Sequence, residues 1–308
     1  MTDPACAHLH VHSEYSLLDG ACKIEALARR AAEFGQPALG LTDHGVMNGM
    51  VELHSACAKH DIKPIFGCEI YLVDDHSTRG PGKTERNHLT LLARDDAGYR
   101  NLVQLSSLGF LEGLQRGKPT LDLQQLAARS QGIVALTGCL ASRFCQRLLD
   151  DRPADARAHA DDLVEIFGAE NVYFELQKNG LAEQEKCNEG IVAIAREMGG
   201  SLVGTGDVHY LRREDYDHHT ALLCVQTKST VAAPKLTFET NEFYLRDSAE
   251  MIAAFAEWPE AIANTIEIAE RCELELELDK QLIPRFETPD GTSERDFLRA
   301  RVAEGVRL

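Results

Sequence analysis

Residues 7–20 have the sequence AHLHVHSEYSLLDG, which predicts a β-strand that runs into a turn. In this strand His8, His10 and His12 alternate with aliphatic residues. Successive side chains of a strand point to opposite faces, so the three histidines would share one face. Asp19 follows in the turn, and imidazole with carboxylate suits zinc, iron or manganese. The stretch therefore predicts the start of a metal site, although a strand with water-facing histidines fits it equally well.

The composition is typical of globular proteins, with 44% hydrophobic and 26% charged residues among 308. This length allows one large α/β barrel or two ordinary domains. No apolar run approaches the roughly 18 residues of a membrane span, and the N-terminus carries no secretory signal. Nine cysteines without a CxxC pair indicate a reducing compartment. We therefore expect a cytoplasmic protein without a membrane partner.

The chain is strongly acidic, with a net charge of −17 and a pI near 5.1. Taken alone, this charge argues against nucleic-acid binding, because nucleic-acid binders usually carry a basic surface. The argument weakens if the acids surround bound cations, since metal ions turn an acidic pocket into a receptor for anions.

Short apolar runs alternate with helical stretches along the first 210 residues or so. Strands are predicted at residues 7–12, 37–41, 64–73, 88–93, 132–138, 172–177 and 201–205. Seven strand-then-helix units favour a closed barrel of parallel strands in the α/β class. An open, doubly wound sheet is the alternative.

The pattern becomes mainly helical after Arg212, and an acidic extended link spans residues 273–286. We therefore divide the chain into a barrel domain, residues 1–272, and a linker with one helix, residues 273–308. The sequence ends inside this last helical pattern, which predicts a fragment of a longer protein.

Polar residues suited to metal binding lie at or near the ends of several predicted strands. Each alone is easily explained as a turn or core residue, but active sites of α/β barrels lie at the C-terminal strand ends. The candidate ligands are His10, His12, Asp19, His44, Glu69, His88, Cys139, Asp207 and His209. A tetrahedral zinc needs four ligands, so this set suits two or three metals. Closely spaced metals are typical of phosphate-ester hydrolysis.

The segments HLHVHSEYSLLDG, LTDHG, CEIY, HLTLLA, TGC and TGDVHY resemble the motifs of PHP (polymerase and histidinol phosphatase) domains. Further segments, YRNLVQLSSLGF, ALLCVQTKST, FYLRDSAEM and LIPRFETPDGTSERDFLR, are similar to the branch found at the N-terminus of bacterial C-family replicative DNA polymerases. The resemblance covers essentially the whole chain.

The resemblance implies a distorted (β/α)7 barrel that holds three divalent metal ions, which would be zinc, manganese or iron. It assigns one metal to His10, His12, Glu69 and Asp207, a second to Glu69, His88 and Cys139, and a third to Asp19, His44 and His209. It also implies a 3′→5′ exonuclease that proofreads DNA with a metal-activated water and no catalytic side chain beyond the ligands. The expected partners are a DNA 3′ end, the remainder of a polymerase chain and replisome subunits.

Basic residues that would contact DNA are less clearly marked. Arg79, Lys83 and Arg86 lie in the polar stretch 74–87 and would reach backbone phosphates, unless this stretch is a solvated loop. Arg143 follows Cys139 and would reach a phosphate near a helix start, or lie on the surface without a role.

Two other functions stay open at this point. One is a structural module of the polymerase that metals stabilise without turnover. The other is a stand-alone PHP phosphoesterase that acts on a small phosphate monoester, which the polymerase-like C-terminal segments disfavour.

Overall fold

The computed structural model describes residues 5–77, 85–278, 280 and 283–307. The chain forms two compact units, Met1–Leu274 and Glu275–Leu308. Among its described residues the smaller unit contains one helix, α11 (Glu294–Gly305). It begins after Ser293, because the Ser293 hydroxyl accepts a hydrogen bond from the Asp296 amide at 3.1 Å. No helix in the described ranges combines the length and the hydropathy needed to cross a bilayer.

The larger unit is a mixed α/β structure whose helices and strands largely alternate. Its strands are β1 (Ala38–Leu41), β2 (Lys63–Leu72), β3 (Asn87–Ala93), β4 (Leu114–Gln115), β5 (Lys118–Leu121), β6 (Ile133–Leu136), β7 (Val172–Gln177) and β8 (Ser201–Thr205). Its α-helices are α1 (Ile24–Glu33), α2 (Met50–Lys59), α3 (Asp96–Leu111), α4 (Leu123–Ala127), α5 (Arg143–Leu149), α6 (Pro153–Phe167), α7 (Ala182–Met198), α8 (Tyr216–Thr227), α9 (Ser248–Ala254) and α10 (Pro259–Arg271).

Hydrogen bonds of the N-terminal segment connect β1 with the stretch that follows β8. The sheet order is β4-β5-β2-β3-β6-β7-β8, and β1 pairs with β2. The Gly40 amide of β1 donates to the His8 carbonyl at 2.7 Å. On the other side, the Val208 amide donates to the His10 carbonyl at 3.1 Å, and the His12 amide donates to the Val208 carbonyl at 2.8 Å. The segment thus lies between β1 and the stretch after β8, and the predicted α/β barrel is confirmed.

Two details of the predicted barrel were wrong. Strand β3 is antiparallel to both of its neighbours, β2 and β6. A parallel crossover needs about a dozen residues and usually a helix, and the described residues between Leu72 and Asn87 form none. The strand predicted at residues 7–12 is instead an extended segment with single bridges at His8 and Val11.

The sequence analysis also missed four short elements: the hairpin β4–β5 and the helices α4 and α5. Each has only two to seven residues, too few for a hydrophobic period to register. Local caps mark the helices instead. Asp122 accepts hydrogen bonds from the amides of Gln124 and Gln125 to begin α4, and Ser142 accepts one from Cys145 to begin α5.

An apolar cluster fills one part of the barrel. It takes one or more residues from the N-terminal segment and from each of six strands, together with α10; its members include Leu9, Ala38, Ile65, Leu92, Val134, Tyr173, Val203 and Ile268. On the parallel strands the residues named here lie at or before the middle of each strand. Burying each large side chain contributes about 1.5–3 kcal/mol, so this cluster provides a rigid base for the polar groups at the strand ends.

Candidate metal centre

The carboxylate of Glu69, near the end of β2, lies at the centre of the candidate ligands and is 1% exposed. Its oxygens lie 3.2 Å from Nε2 of His10 and 3.6 Å from Nε2 of His12. They also lie 2.6 Å from Nδ1 of His44 and 3.0 Å from Nδ1 of His88. Four histidines from three separate segments therefore surround one buried carboxylate.

Cys139 and Asp207 complete two sides of this arrangement. The Cys139 sulfur lies 3.5 Å from Oε1 of Glu69 and 3.6 Å from Nδ1 of His88. Oδ1 of Asp207 lies 3.4 Å from Nε2 of His10 and 3.4 Å from Nε2 of His12. Both residues follow strands, β6 and β8, whose C-terminal ends point to the same end of the barrel.

The remaining two candidates lie on the side of His44. Oδ1 of Asp19 is 3.4 Å from Nε2 of His44, and the His209 ring stacks on the His12 ring with centroids 4.3 Å apart. Ligand atoms within 4.8 Å of one another occur in the groups His10–His12–Glu69, His12–His44–His209 and His44–Glu69–His88. The structure therefore brings all nine predicted residues together, in groups that share members.

Asp207 has a backbone conformation that marks this end of the barrel. Its φ is 49°, in the left-handed region that residues other than glycine rarely adopt. The hydrogen bonds between Val208 and the N-terminal segment hold the chain in this conformation. Strained backbone of this kind is concentrated at functional sites, where the surrounding structure compensates for it.

The donor atoms of this cluster fit bound cations. Buried polar atoms are almost always hydrogen-bonded, yet several candidate ligand atoms in the described part of the chain are not. Several of these atoms face one another at short distance, yet they make no hydrogen bond of good geometry: Nε2 of His10, Nε2 of His12, Oδ1 of Asp19, Nδ1 of His44, Oε2 of Glu69 and Oδ1 of Asp207. Imidazole, carboxylate and thiol groups together are the ligand set of divalent transition metals.

The pKa values show how charge is balanced without metal. Burial alone would raise the pKa of Glu69, but His88, His44 and His10 lower it well below its ordinary value. Burial likewise opposes protonation of His44, but Glu69 and Asp19 raise its pKa to about 10. Burial raises the pKa of the Cys139 thiol. Cation binding would therefore release protons from His44 and Cys139.

Glu175 of β7 is a site residue that the sequence analysis missed. It is fully buried, and its carboxylate accepts hydrogen bonds from Nδ1 of His10 at 2.7 Å and from the Gly138 amide at 2.9 Å. Gly138 directly precedes Cys139. Glu175 therefore holds in place the segments that carry the candidate ligands His10 and Cys139. The available signal was a single charged residue inside a strand that is otherwise free of charge, VYFELQ.

Asp43 orients His12 through Ser16. Its buried carboxylate accepts hydrogen bonds from the Ser13 amide, the Ser13 hydroxyl and the Ser16 hydroxyl, each at 2.7 Å. The Ser16 oxygen lies 3.0 Å from Nδ1 of His12. Since Ser16 donates to Asp43, it accepts from this nitrogen, which leaves Nε2 of His12 free to bind a cation. The position of Asp43 directly before His44 was the signal in the sequence.

The basic residues proposed to bind substrate are only partly described. Arg79 and Lys83 lie outside the described residues. The Arg86 guanidinium donates to a backbone carbonyl of β4 at 3.2 Å. Arg143 begins α5 and pairs with Asp74 at 2.7 Å, so its charge is already compensated by a carboxylate.

Comparison with known proteins agrees with this geometry. The PHP domain profile matches residues 8–179. DNA polymerase III subunit alpha of Treponema pallidum is 39% identical over 305 residues, which cover 97% of this chain and 26% of that protein. The same subunit of Thermus aquaticus is 41% identical over 306 residues, which cover 95% of this chain and 25% of that protein. The chain thus spans about a quarter of the length of these relatives.

A solved structure from Bifidobacterium adolescentis, assigned to the metal-dependent phosphoesterases, aligns with a TM-score of 0.44 and 15% identity over 81% of this chain and 96% of that one. That likeness is too distant to carry a functional inference. The segment that matches the profile contains seven of the nine converging residues, all but Asp207 and His209. On the strength of this match, the chain belongs to the PHP domain family.

Proposed function

We propose that this chain is the PHP domain of a bacterial DNA polymerase III alpha subunit and acts there as a metal-dependent 3′→5′ exonuclease. The observation that carries the proposal is the cluster of nine ligand-type side chains with Glu69 at its centre, several of them with buried ligand atoms that make no hydrogen bond of good geometry. The similarity to polymerase subunits over nearly the whole chain supports DNA as the substrate. Proofreading in the cytoplasm, beside the rest of the polymerase and the replisome subunits, follows from this assignment.

The proposed ligands divide into three sets. His10, His12, Glu69 and Asp207 would hold one divalent ion, Glu69, His88 and Cys139 a second, and Asp19, His44 and His209 a third. When bound, such ions supply Lewis acidity and lower the pKa of a coordinated water. The thiol favours zinc or iron, whereas the carboxylates and histidines also accept manganese.

The chain itself contributes orientation. Glu175 and Ser16 accept hydrogen bonds from the Nδ1 atoms of His10 and His12, and the Asp207 carbonyl accepts one from Nδ1 of His209 at 2.8 Å. Each bond directs Nε2 of the ring toward the cluster and holds it there without reorganisation when substrate arrives. Burial of these rings keeps bulk water away from the reacting phosphate.

The proposal is tested with Asp207→Asn, which keeps the shape of the side chain and removes its charge. Hydrolysis of 3′-labelled single-stranded DNA with manganese or zinc should fall on the order of 100-fold or more, while circular dichroism stays unchanged. Asp217→Asn, which alters an exposed residue of α8, is the matched control. An undiminished rate in Asp207→Asn would rule the mechanism out.

The same assay distinguishes the alternative functions when p-nitrophenyl phosphate is offered in parallel. Cleavage of the monoester alone would replace the exonuclease with a small-molecule phosphoesterase. Cleavage of neither substrate by metal-loaded protein would leave a structural module that the metals stabilise.

A further inference from the structure

Lys118, at the start of β5, lies beside the candidate metal centre. Its ammonium group donates to the Tyr71 hydroxyl at 2.9 Å and lies 5.0 Å from the centroid of the Tyr71 ring. The Tyr71 ring in turn stacks on His44 with centroids 5.8 Å apart and meets His88 edge-on at 5.2 Å. One aromatic ring therefore separates Lys118 from two of the proposed metal ligands.

The hairpin β4–β5 holds Lys118 in this position. Pro119 packs directly on Gly45, the residue after His44, and a Cβ atom at Gly45 would lie only 2.5 Å from the proline ring. Thr120 pairs with Tyr71 in the parallel register between β5 and β2. Lys118 is thus fixed relative to the centre by backbone pairing and by close packing.

Lys118 and Arg86 form no ion pair with any carboxylate of the described residues, although the chain has 49 acidic and 32 basic residues. Their hydrogen-bond acceptors are the neutral Tyr71 hydroxyl and a backbone carbonyl. Arg86 donates to the carbonyl of Gln115, which is the register partner of Lys118 in the β4–β5 hairpin, so the two cations are neighbours. Burial lowers the pKa of Lys118, while the more distant charges of Asp19 and Arg86 raise and lower it respectively. Two neighbouring cations without a paired carboxylate are arranged to receive an anion.

We propose that Lys118, Arg86 and the Tyr71 hydroxyl bind a phosphate of the DNA strand next to the phosphodiester that is hydrolysed. The inference rests on the proposed function and deepens it. The metals would neutralise the reacting phosphate, so a separate pair of cations serves a second phosphate, which a polynucleotide has and a monoester lacks.

The state of Tyr71 agrees with this assignment. Burial raises the pKa of Tyr71, so the phenol keeps its proton near neutral pH. Because its oxygen already accepts a hydrogen bond from Lys118, the hydroxyl proton is free to be donated to a phosphate oxygen. The site therefore offers two charges and one neutral donor.

The test compares Lys118→Met with Lys118→Arg, which keeps the charge, and with the control Lys186→Met at an exposed position of α7. For 3′-labelled single-stranded DNA, Lys118→Met should raise KM about tenfold. For bis(p-nitrophenyl) phosphate, which has one phosphate, kcat and KM should stay within about twofold of the original protein. Lys118→Arg and Lys186→Met should behave like the original protein on both substrates.

A binding measurement that needs no turnover completes the test. The affinity for an oligonucleotide with a phosphorothioate 3′ end is measured by fluorescence anisotropy over a range of salt concentrations. Loss of one phosphate contact should reduce the slope of log K against log salt by about 0.7 in Lys118→Met. Tyr71→Phe should weaken binding without changing this slope, because only a neutral donor is lost.

The outcomes distinguish the two proposals. If the original protein does not hydrolyse DNA but the salt slope still falls in Lys118→Met, the exonuclease fails and the phosphate site stands. If DNA is hydrolysed and Lys118→Met matches the original protein in both KM and slope, Lys118 only covers the Tyr71 ring and the phosphate site is overturned. Should Lys118→Met not fold, Tyr71→Phe decides: unchanged DNA affinity overturns the site.

Discussion

The carboxylate of Glu175 accepts a hydrogen bond from Nδ1 of His10 at 2.7 Å, and both side chains are fully buried. Donation from Nδ1 makes Nε2, which lies 3.2 Å from Glu69 and 3.4 Å from Asp207, the atom that would bind a cation in place of its proton. Such a carboxylate fixes the tautomer and the ring orientation of a metal-binding histidine. Glu175 also accepts a hydrogen bond from the Gly138 amide, so one carboxylate links the segments that carry His10 and Cys139.

Glu175→Gln should lower zinc affinity about 10- to 100-fold. If the NH2 group of the new side-chain amide faces His10, Nδ1 must accept a hydrogen bond from it. The ring proton then moves to Nε2, the atom that would bind metal. If the amide faces Gly138 instead, two N–H groups oppose each other. Equilibrium dialysis with metal quantitation measures the affinity, and nitrogen NMR of the histidine rings reports the tautomer of His10.

A matched control for this prediction is Glu267→Gln. Glu267 lies on α10 and accepts a hydrogen bond from the Tyr173 hydroxyl of the same strand, β7, at 2.9 Å. Glu267→Gln removes one carboxylate charge, as Glu175→Gln does, but Glu267 contacts no proposed ligand. Zinc affinity should therefore stay at its original value. Equal affinities in both variants would show that Glu175 does not position His10.

Gly20→Ala should reduce both stability and metal content. A Cβ atom at Gly20 would lie 1.8 Å from the Ser13 carbonyl oxygen, inside the turn that carries Asp19. Relief of this overlap should cost about 1–3 kcal/mol of unfolding free energy and displace Asp19. Gly206→Ala is the control, because a Cβ atom there meets its nearest neighbour, His8, at 3.4 Å. Urea unfolding and metal analysis check both variants; equal losses in the two would contradict the steric argument.

Removal of metal should lower the stability of the barrel. Without cations, Nε2 of His10, Nε2 of His12, Oε2 of Glu69 and Oδ1 of Asp207 are buried and make no hydrogen bond of good geometry. A cation that binds only the folded state stabilises it by about 2.7 kcal/mol per site at 100 times its Kd. Urea unfolding with zinc and with a chelator should differ by this order, and the difference should shrink in Asp207→Asn. An identical unfolding free energy under both conditions would contradict metal binding at this cluster.

His159 should make the protein less stable in weak acid. It is 5% exposed on the inner face of α6, and its Nδ1 has no hydrogen-bond partner among the described residues. Burial, with Arg143 and Arg147 nearby, lowers its pKa from 6.5 to about 3. Below pH 6.5 His159 therefore binds a proton in the unfolded chain but not in the folded chain. The free energy of unfolding falls as the pH drops from 6.5 toward 3.

His159→Leu should remove this part of the pH dependence. Between pH 7 and pH 5 the unfolding free energy of the original protein should fall by about 2 kcal/mol more than that of the variant. Urea unfolding at the two pH values gives the difference. His218→Leu alters a histidine whose side chain is 86% exposed, and it should keep the original dependence. The same pH dependence in His159→Leu as in the original protein would show that the buried ring titrates normally.

Much of the candidate centre could be predicted from the sequence because its residue types and positions are local information. A histidine, carboxylate or thiol at the end of a predicted parallel strand is brought to one end of a barrel whatever the packing details are. This is why Asp207, after β8, and Cys139, after β6, could be placed at one end of the barrel from their positions, whereas their grouping around particular metals came from the family resemblance. The boundaries of β7 and β8 followed in the same way, from short apolar runs between polar turns.

The sequence by itself determined the barrel and the nine converging side chains. Only the tertiary structure decided the antiparallel direction of β3, the support that Glu175 provides for His10, and the position of Lys118 beside Tyr71. The reason is physical: the last two depend on a partner distant in the chain, 165 residues away for Glu175 and His10 and 47 for Lys118 and Tyr71, and the direction of β3 depends on which strands it pairs with. A local pattern records whether a side chain is buried, but not which group meets it.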